Sequence, residues 1–490
     1  ANLKAISSMK RIVCVLSIAI LTLLPGRAAC DAAEKRVFRA GAATSNITPS
    51  MGVRLDGTIM QIGPAKDVHD ELHARCLVLD DGNERLAIVV CDNTMIAQFV
   101  MDDAKAQIQE RSGLASNRVL ISATHTHSAP RAIGISDLPE DRAYLKFMAR
   151  RVADGVQRAI NNLAPAKIGW SSGSKPDFVH NRRWFVEGNA GKPNPFGYKG
   201  ETVRMNPGRT GLIRPAGPVD PEVSILSVQH ADGRPLALLA NYGLHYIGGI
   251  PSGVVSADYF GVFADRVQEL LKADRQDPPF VGIMSNGTSG DINAIDFKGE
   301  RRRYKAYERM TLVAHSLADE VLRVYRTIEH RDFVELGMRE VELPLKIRKP
   351  DAERLKWAES LYASGQAKFA ARKRLTRPEV YAREAMHLKS YPDVAAIKLQ
   401  AIRIGDLGIT AIPCEVFAET GLGIKENSPF GSTFTIELAN GFYGYLPTEE
   451  QHRWGGYETW EARSSCLEVS AEGKIRESVL GMLKELEKSR

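Results

Sequence analysis

Short, almost wholly apolar runs that break off into polar, reactive residues recur along this chain. Val119-Leu-Ile-Ser-Ala123 leads into Thr124-His-Thr-His-Ser128, and Leu238-Leu-Ala-Asn-Tyr-Gly-Leu-His245 ends in a histidine. Phe280-Val-Gly-Ile-Met-Ser285 leads into Asn286-Gly-Thr-Ser-Gly-Asp291. Ile409-Thr-Ala-Ile-Pro-Cys-Glu415 ends in a carboxylate, and Phe434-Thr-Ile-Glu-Leu-Ala-Asn-Gly-Phe-Tyr-Gly-Tyr445 ends in two tyrosines. Runs of this length and composition read as buried strands. Helical patterns separate them: Asp102 to Gly113, Glu140 to Leu163, Tyr259 to Lys272, residues 300–330 and 350–390, and Ile475 to Lys488. Strands alternating with helices predict an α/β fold: one large mixed-sheet domain with helices packed on it. Such a scaffold collects side chains from several strand ends into one site.

His125 and His127 define the first of these ends. Pro130 prevents a central strand from continuing. If the strand geometry persists, alternate residues share a face and both imidazoles enter one site. There they suit two zinc ligands, or one ligand and one proton-transfer group. His69-Asp-Glu-Leu-His73 resembles the H-E-x-x-H pattern of zinc proteases, but Asp70 stands where that pattern needs glutamate. The run also feeds into an expected strand at Cys76–Leu79 rather than a helix.

The composition is that of an ordinary globular protein, 490 residues with 44% hydrophobic and 25% charged. The formal charge of +6 includes Lys4, Lys10, Arg11 and Arg27, with no acid in residues 1–30, which leaves +2 on residues 31–490. That is too little to suggest a nucleic-acid partner. Met9-Lys10-Arg11 followed by the apolar Ile12 to Leu24 reads as a secretory signal within residues 9–30, so an exported protein is expected. A lipid anchor on Cys30 is the second reading. Cys76, Cys91, Cys414 and Cys466 form no C-x-x-C pair, so a cysteine zinc site is not expected, while a disulfide of unassigned pairing stays open. Leu77-Val-Leu, Asp80-Asp-Gly-Asn83 and Leu86 to Val90 predict a hairpin. Residues 171–220 predict a long functional loop, and Asp351 to Lys389 a surface lid or helical insertion.

Thr124-His-Thr-His-Ser128, Asn241-Tyr-Gly-Leu-His245, Gly290-Asp291, Pro413-Cys-Glu415 and Gly444-Tyr-Leu-Pro-Thr-Glu-Glu450 resemble, in order, the motifs of the neutral/alkaline (non-lysosomal) ceramidase family. Arg39-Ala-Gly-Ala-Ala-Thr-Ser-Asn-Ile-Thr-Pro49 resembles the start of that family's domain, here 38–490. The resemblance implies a Zn2+ ion held by His125, His245, Glu415 and Tyr445. It places His127 and Arg182 on the substrate side and matches a second tyrosine at Tyr457. The chain departs from the pattern twice. Asn293, in Gly290-Asp-Ile-Asn-Ala-Ile295, stands where the family carries its nucleophilic serine. The family's C-terminal immunoglobulin-like domain is not expected here.

The resulting expectation is a zinc-dependent hydrolase that cleaves an amide by metal-assisted attack of water rather than serine. Asn293 would donate to the oxyanion, with His127 and Tyr457 serving proton transfer or oxyanion contact. The substrate would be a small-molecule or lipid-like acyl compound, with peripheral membrane contact admitted. Two alternatives keep the site: an esterase, lactonase or N-acyl sugar hydrolase, and a non-catalytic metal-binding protein.

Overall fold

The computed structural model describes residues 36–55, 63–133, 139–188, 193–370 and 375–489. The expected signal segment, Cys14 and Cys30 lie outside them. The described residues, 36 to 489, form one compact unit.

Its centre is an eight-stranded mixed sheet. From one edge the strands are Val281–Asn286, Pro235–Tyr242, Glu222–His230, Ala164–Ser174, Arg39–Asn46, His73–Asp80, Arg85–Cys91 and Val119–Ala123. The outermost pair at each edge is parallel, and the pairs between are antiparallel. The expected hairpin joins His73–Asp80 to Arg85–Cys91. At its turn Asp80 and Asp81 accept from the backbone amides of Gly82 and Asn83.

A second sheet, of four strands, was not foreseen from the sequence. It runs Leu336–Lys346, Val394–Ile404, Leu407–Ile412 and Ser432–Glu437, with the last pair parallel. The two sheets share one apolar layer, in which Leu77, Leu79, Ile88 and Leu239 meet Ile402, Ile404, Ile409 and Phe434. The intervening residues point the other way. Cys76, Val78, Val89 and Ile121 pack under helices Gln98–Ser112 and Pro139–Asn161. Ile225, Leu238, Ala240 and Tyr242 pack under Asp258–Leu270 and Glu308–Tyr325. Ile397, Leu399 and Ala401 pack under the closing helix, Ala471–Lys488. The architecture is therefore helix, sheet, sheet, helix. Central strands are covered on both faces, which is why they read as continuous apolar runs.

Residues 350–390 form two helices, Ala352–Ala370 and Arg377–Lys389, between two strands of the smaller sheet. Residues 171–220 are less irregular than their composition suggests. They hold a three-stranded sheet of Arg183–Val186, Val203–Met205 and Leu212–Pro215. Cys76, Cys91, Cys414 and Cys466 are buried free thiols. Among the described residues no helix is long and apolar enough to cross a membrane.

Candidate metal centre

Parallel strands of both sheets end at one place. Val119–Ala123 stops at Ala123, and His125 adopts a left-handed φ of 72°. The expectation that His125 and His127 project from one strand face is thus corrected. The chain has already turned off the strand, and the turn itself brings the rings together. His245 follows strand Pro235–Tyr242 of the same sheet. Glu415 and Tyr445 follow Leu407–Ile412 and Ser432–Glu437 of the smaller sheet and pair side by side in a short parallel ladder.

Three imidazole Nε2 atoms converge. His125 Nε2 lies 3.2 Å from that of His245 and 3.1 Å from that of His127. Glu415 Oε2 lies 3.4 Å from His125 Nε2 and 3.5 Å from His245 Nε2. His125, His245 and Glu415 are each 2% exposed or less. His125 Nδ1 donates to the Thr94 carbonyl and His245 Nδ1 to the Ser289 carbonyl, both at 2.8 Å. A carbonyl only accepts, so each Nδ1 carries a hydrogen and each ring turns its Nε2 toward the cluster. Glu415 Oε2 is buried without a hydrogen-bond partner. Acceptors crowded together in a water-poor site repel one another unless a cation lies among them. The group His125, His127 and His245 has the spacing to hold a metal ion.

The three histidines differ behind the cluster. His125 and His245 have the outer hydrogen bonds that fix metal-ligating rings. His127 Nδ1 has no partner, and the ring stacks on Tyr246 with centroids 3.7 Å apart. Burial, then the neighbouring His125 and Arg182, hold His127 well below the usual histidine range, so it is uncharged.

Arg182 stands beside the cluster, its Nη1 3.0 Å from His245 Nε2. Its Nε donates to Glu458 at 3.0 Å and its Nη2 to the Gly290 carbonyl at 2.8 Å. Arg183 donates to the other oxygen of Glu458 at 2.6 Å. Burial opposes the Arg182 charge, but Tyr445, Glu458 and Glu415 outweigh it and raise its pKa. Tyr445 lies under the guanidinium, and the Tyr457 ring is 5.7 Å from that of Tyr445. A cavity of about 160 Å³ opens over these groups. His125, His127, Arg182, His245, Glu415, Tyr445 and Tyr457, seven of the eight expected residues, line it.

Asn293 is the eighth, and it stands behind the wall. Its Nδ2 donates to Asn206 Oδ1 at 2.7 Å, and Asn206 lines the cavity. Asp291 of the Gly-Asp pair is structural. It accepts from Asn181 Nδ2 and from the Ala418 amide, fixing the residue before Arg182 and the start of helix Ala418–Asn427. Burial raises its pKa to about 6. Ser289 lies on the far side of His245, its Oγ donating to Glu437 at 2.6 Å. Ser464 is the serine among the residues that line the cavity. His69 of the protease-like run stacks on Tyr307, and the run is not helical.

Reading the sequence missed Asn206, Ser464, Thr94, Glu437 and Glu458. Glu437 and Glu458 flank recognised motif residues and were legible by adjacency. Thr94 contributes a main-chain carbonyl, which leaves no trace in side-chain chemistry.

Residues 38–299, more than half of the chain, match the family model of the neutral/alkaline non-lysosomal ceramidase N-terminal region. The chain belongs to that family. It is 24% identical over 314 residues to neutral ceramidase B of Dictyostelium discoideum, a match covering 59% of this chain and 41% of the relative. Neutral ceramidase of Drosophila pseudoobscura pseudoobscura is 29% identical over 168 residues, covering 31% of this chain and 23% of the relative. The chain thus spans less than half the length of these relatives. Among solved structures, neutral ceramidase from Pseudomonas aeruginosa shares the fold with a TM-score of 0.67 and 18% identity, covering 93% of this chain and 75% of that one. A ceramidase complexed with C2 superposes with a TM-score of 0.68 and 17% identity, over 93% of this chain and 76% of the other.

Proposed function

We propose that this protein is a zinc-dependent hydrolase of N-acyl amides, with the ion held by His125, His245, Glu415 and Tyr445. The observation that carries the reading is the convergence of Nε2 atoms on a buried, unpartnered Glu415 oxygen. Nitrogen and oxygen donors of this kind suit zinc. When bound, the ion supplies a Lewis acid that polarises a carbonyl and makes water more acidic.

The chain's own residues do the rest. The oxygen of a water molecule bonds to the acyl carbon, the carbon–nitrogen bond breaks, and the amine leaves with a proton. Neutral His127 takes the water's proton at Nε2 and delivers it to the leaving nitrogen. Arg182, locked by Glu458 and the Gly290 carbonyl, sets a fixed positive charge against the developing oxyanion. Tyr457 adds a hydroxyl to the same wall. Asn293 acts through Asn206, which it orients.

Purified protein loaded with zinc is expected to release acetate from N-acetyl amines and to stop when a chelator removes the ion. Turnover that survives complete chelation overturns the metal role. Absence of turnover on any amide or ester, with zinc bound, leaves a metal-binding protein without hydrolase activity.

A further inference from the structure

A second cavity, of about 260 Å³, adjoins the first and shares Met205, Asn206 and Tyr457 with it. The metal-centre cavity is small against the roughly 300–1,000 Å³ of sites that enclose drug-sized ligands. Past Asn206 and Tyr457 the second compartment offers room for the part of a substrate beyond its acyl group. That compartment is lined by Arg204, next to the shared wall, and by Arg377, at the start of helix Arg377–Lys389. Neither guanidinium makes a hydrogen bond or ion pair to a described residue, and that of Arg377 lies over the Trp460 ring, 5.6 Å from its centroid. The acid in the same wall, Glu201, is held by two other residues of that wall, its Oε1 accepting from Trp460 Nε1 at 2.7 Å and from Asn194 Nδ2 at 2.9 Å, so the two guanidinium charges outnumber its one. Two arginines in a concave extension of a reaction site recognise an oxyanion of carboxylate, sulfonate or phosphate type.

We propose that Arg204 and Arg377 form a specificity subsite for an anionic group on the amine half of the substrate. The preferred substrate is then a polar, negatively charged N-acyl amine rather than an uncharged lipid amide. This rests on the amidase reading above, and the geometry gives it a physical basis. A long alkyl chain gains free energy only by leaving water for an apolar surface, whereas Arg204, Arg377, Glu201 and Asn194 keep this compartment polar.

The test uses the zinc-loaded full chain and three probes: neutral N-acetylethanolamine, its phosphate ester N-acetylphosphoethanolamine, and the sulfonate N-acetyltaurine. At least one anionic probe is expected to exceed the neutral one in kcat/KM by tenfold or more. The better of the two reports whether phosphate or sulfonate is the fitting anion. R204Q with R377Q is expected to bring that ratio back to about one, a loss of about tenfold or more, the scale of a charge-assisted hydrogen bond. R234Q, on an exposed turn, serves as the control and should leave the ratio alone. Calorimetric binding of N-acetylphosphoethanolamine and N-acetyltaurine to wild type and double variant gives a readout independent of turnover. Equal ratios in wild type and double variant, with amides still cleaved, overturn the subsite and spare the amidase reading. Anion binding that the double variant loses, with no amide cleaved, overturns the amidase reading and spares the subsite. No measurable anion binding and no anionic preference overturn the subsite outright.

Discussion

At the scale of single residues, the proposed chemistry divides between groups assigned to hold an ion and groups assigned to face a substrate. His125→Ala, His245→Ala and Glu415→Gln are expected to abolish stoichiometric zinc, whereas His127→Ala keeps the ion and loses turnover by roughly 10²–10⁴-fold. The difference follows from the outer hydrogen bonds, which fix His125 and His245 but not His127 Nδ1. Elemental analysis of the four variants decides it, and loss of zinc from His127→Ala would reverse the assignment. The serine question is settled by a second pair. Ser289→Ala removes a donor from buried Glu437 and is expected to cost about 1–3 kcal/mol of stability. It should retain most activity, as should Ser464→Ala. If either substitution destroys turnover while zinc and melting temperature are unchanged, that serine is the nucleophile. The convergence of His125, His245, Glu415 and Tyr445 on one cavity was legible in the sequence from their joint placement after apolar runs and from the family resemblance, which alone implied them as a ligand set. Asn293 was legible as a departure from the family pattern. Its hydrogen bond to Asn206 depends on a left-handed turn at φ 47° eighty-seven residues away, which no local pattern announces.

At the scale of elements, the centre depends on where two chain crossings touch. The Gly290 amide donates to the Val416 carbonyl at 2.7 Å, and a Cβ on Gly290 would lie 2.5 Å from the Glu415 carbonyl oxygen. Gly290→Ala must therefore push the Glu415 segment aside. Because Gly290 itself accepts from Arg182, the same methyl also disturbs the guanidinium. The expected result is a zinc affinity lower by about 10–100-fold, the usual effect of disturbing the groups that orient a ligand. A titration of metal-free protein against a zinc-buffered indicator measures it. An unchanged affinity would show that Glu415 is not a ligand, or that the crossing is looser than it looks. The helical pair 352–389 touches the site through a different device. Arg463 is held in a two-point bridge by Glu384, at 2.7 and 2.6 Å, which ties helix Arg377–Lys389 to the cavity wall. Element types and order were legible from apolar runs and helical periodicity. The division into two sheets was not, because a strand buried between sheets and one buried between a sheet and a helix carry the same apolar pattern.

At the scale of the whole molecule, the four proposed ligands come in pairs from the two sheets: His125 and His245 from the larger, Glu415 and Tyr445 from the smaller. An ion bound by all four would tie together layers that also meet through apolar packing and through hydrogen bonds such as that from Asn241 Nδ2 to the Thr435 carbonyl. It would also remove the repulsion among the Nε2 atoms and the isolated Glu415 oxygen. Binding to the folded state alone adds RT ln(1 + [L]/Kd), about 4 kcal/mol at a thousandfold excess over Kd. Zinc-loaded protein is therefore expected to melt several degrees above the chelated form, and the gap should follow the ligands rather than the chemistry. His127→Ala keeps the gap although turnover is lost, whereas Glu415→Gln closes it. Scanning calorimetry on both variants, with and without chelator, separates metal binding from catalysis without any substrate. Coincident transitions for loaded and chelated wild type would mean that the two sheets hold the site in place unaided. The converging donors would then be an arrangement the fold tolerates without an ion.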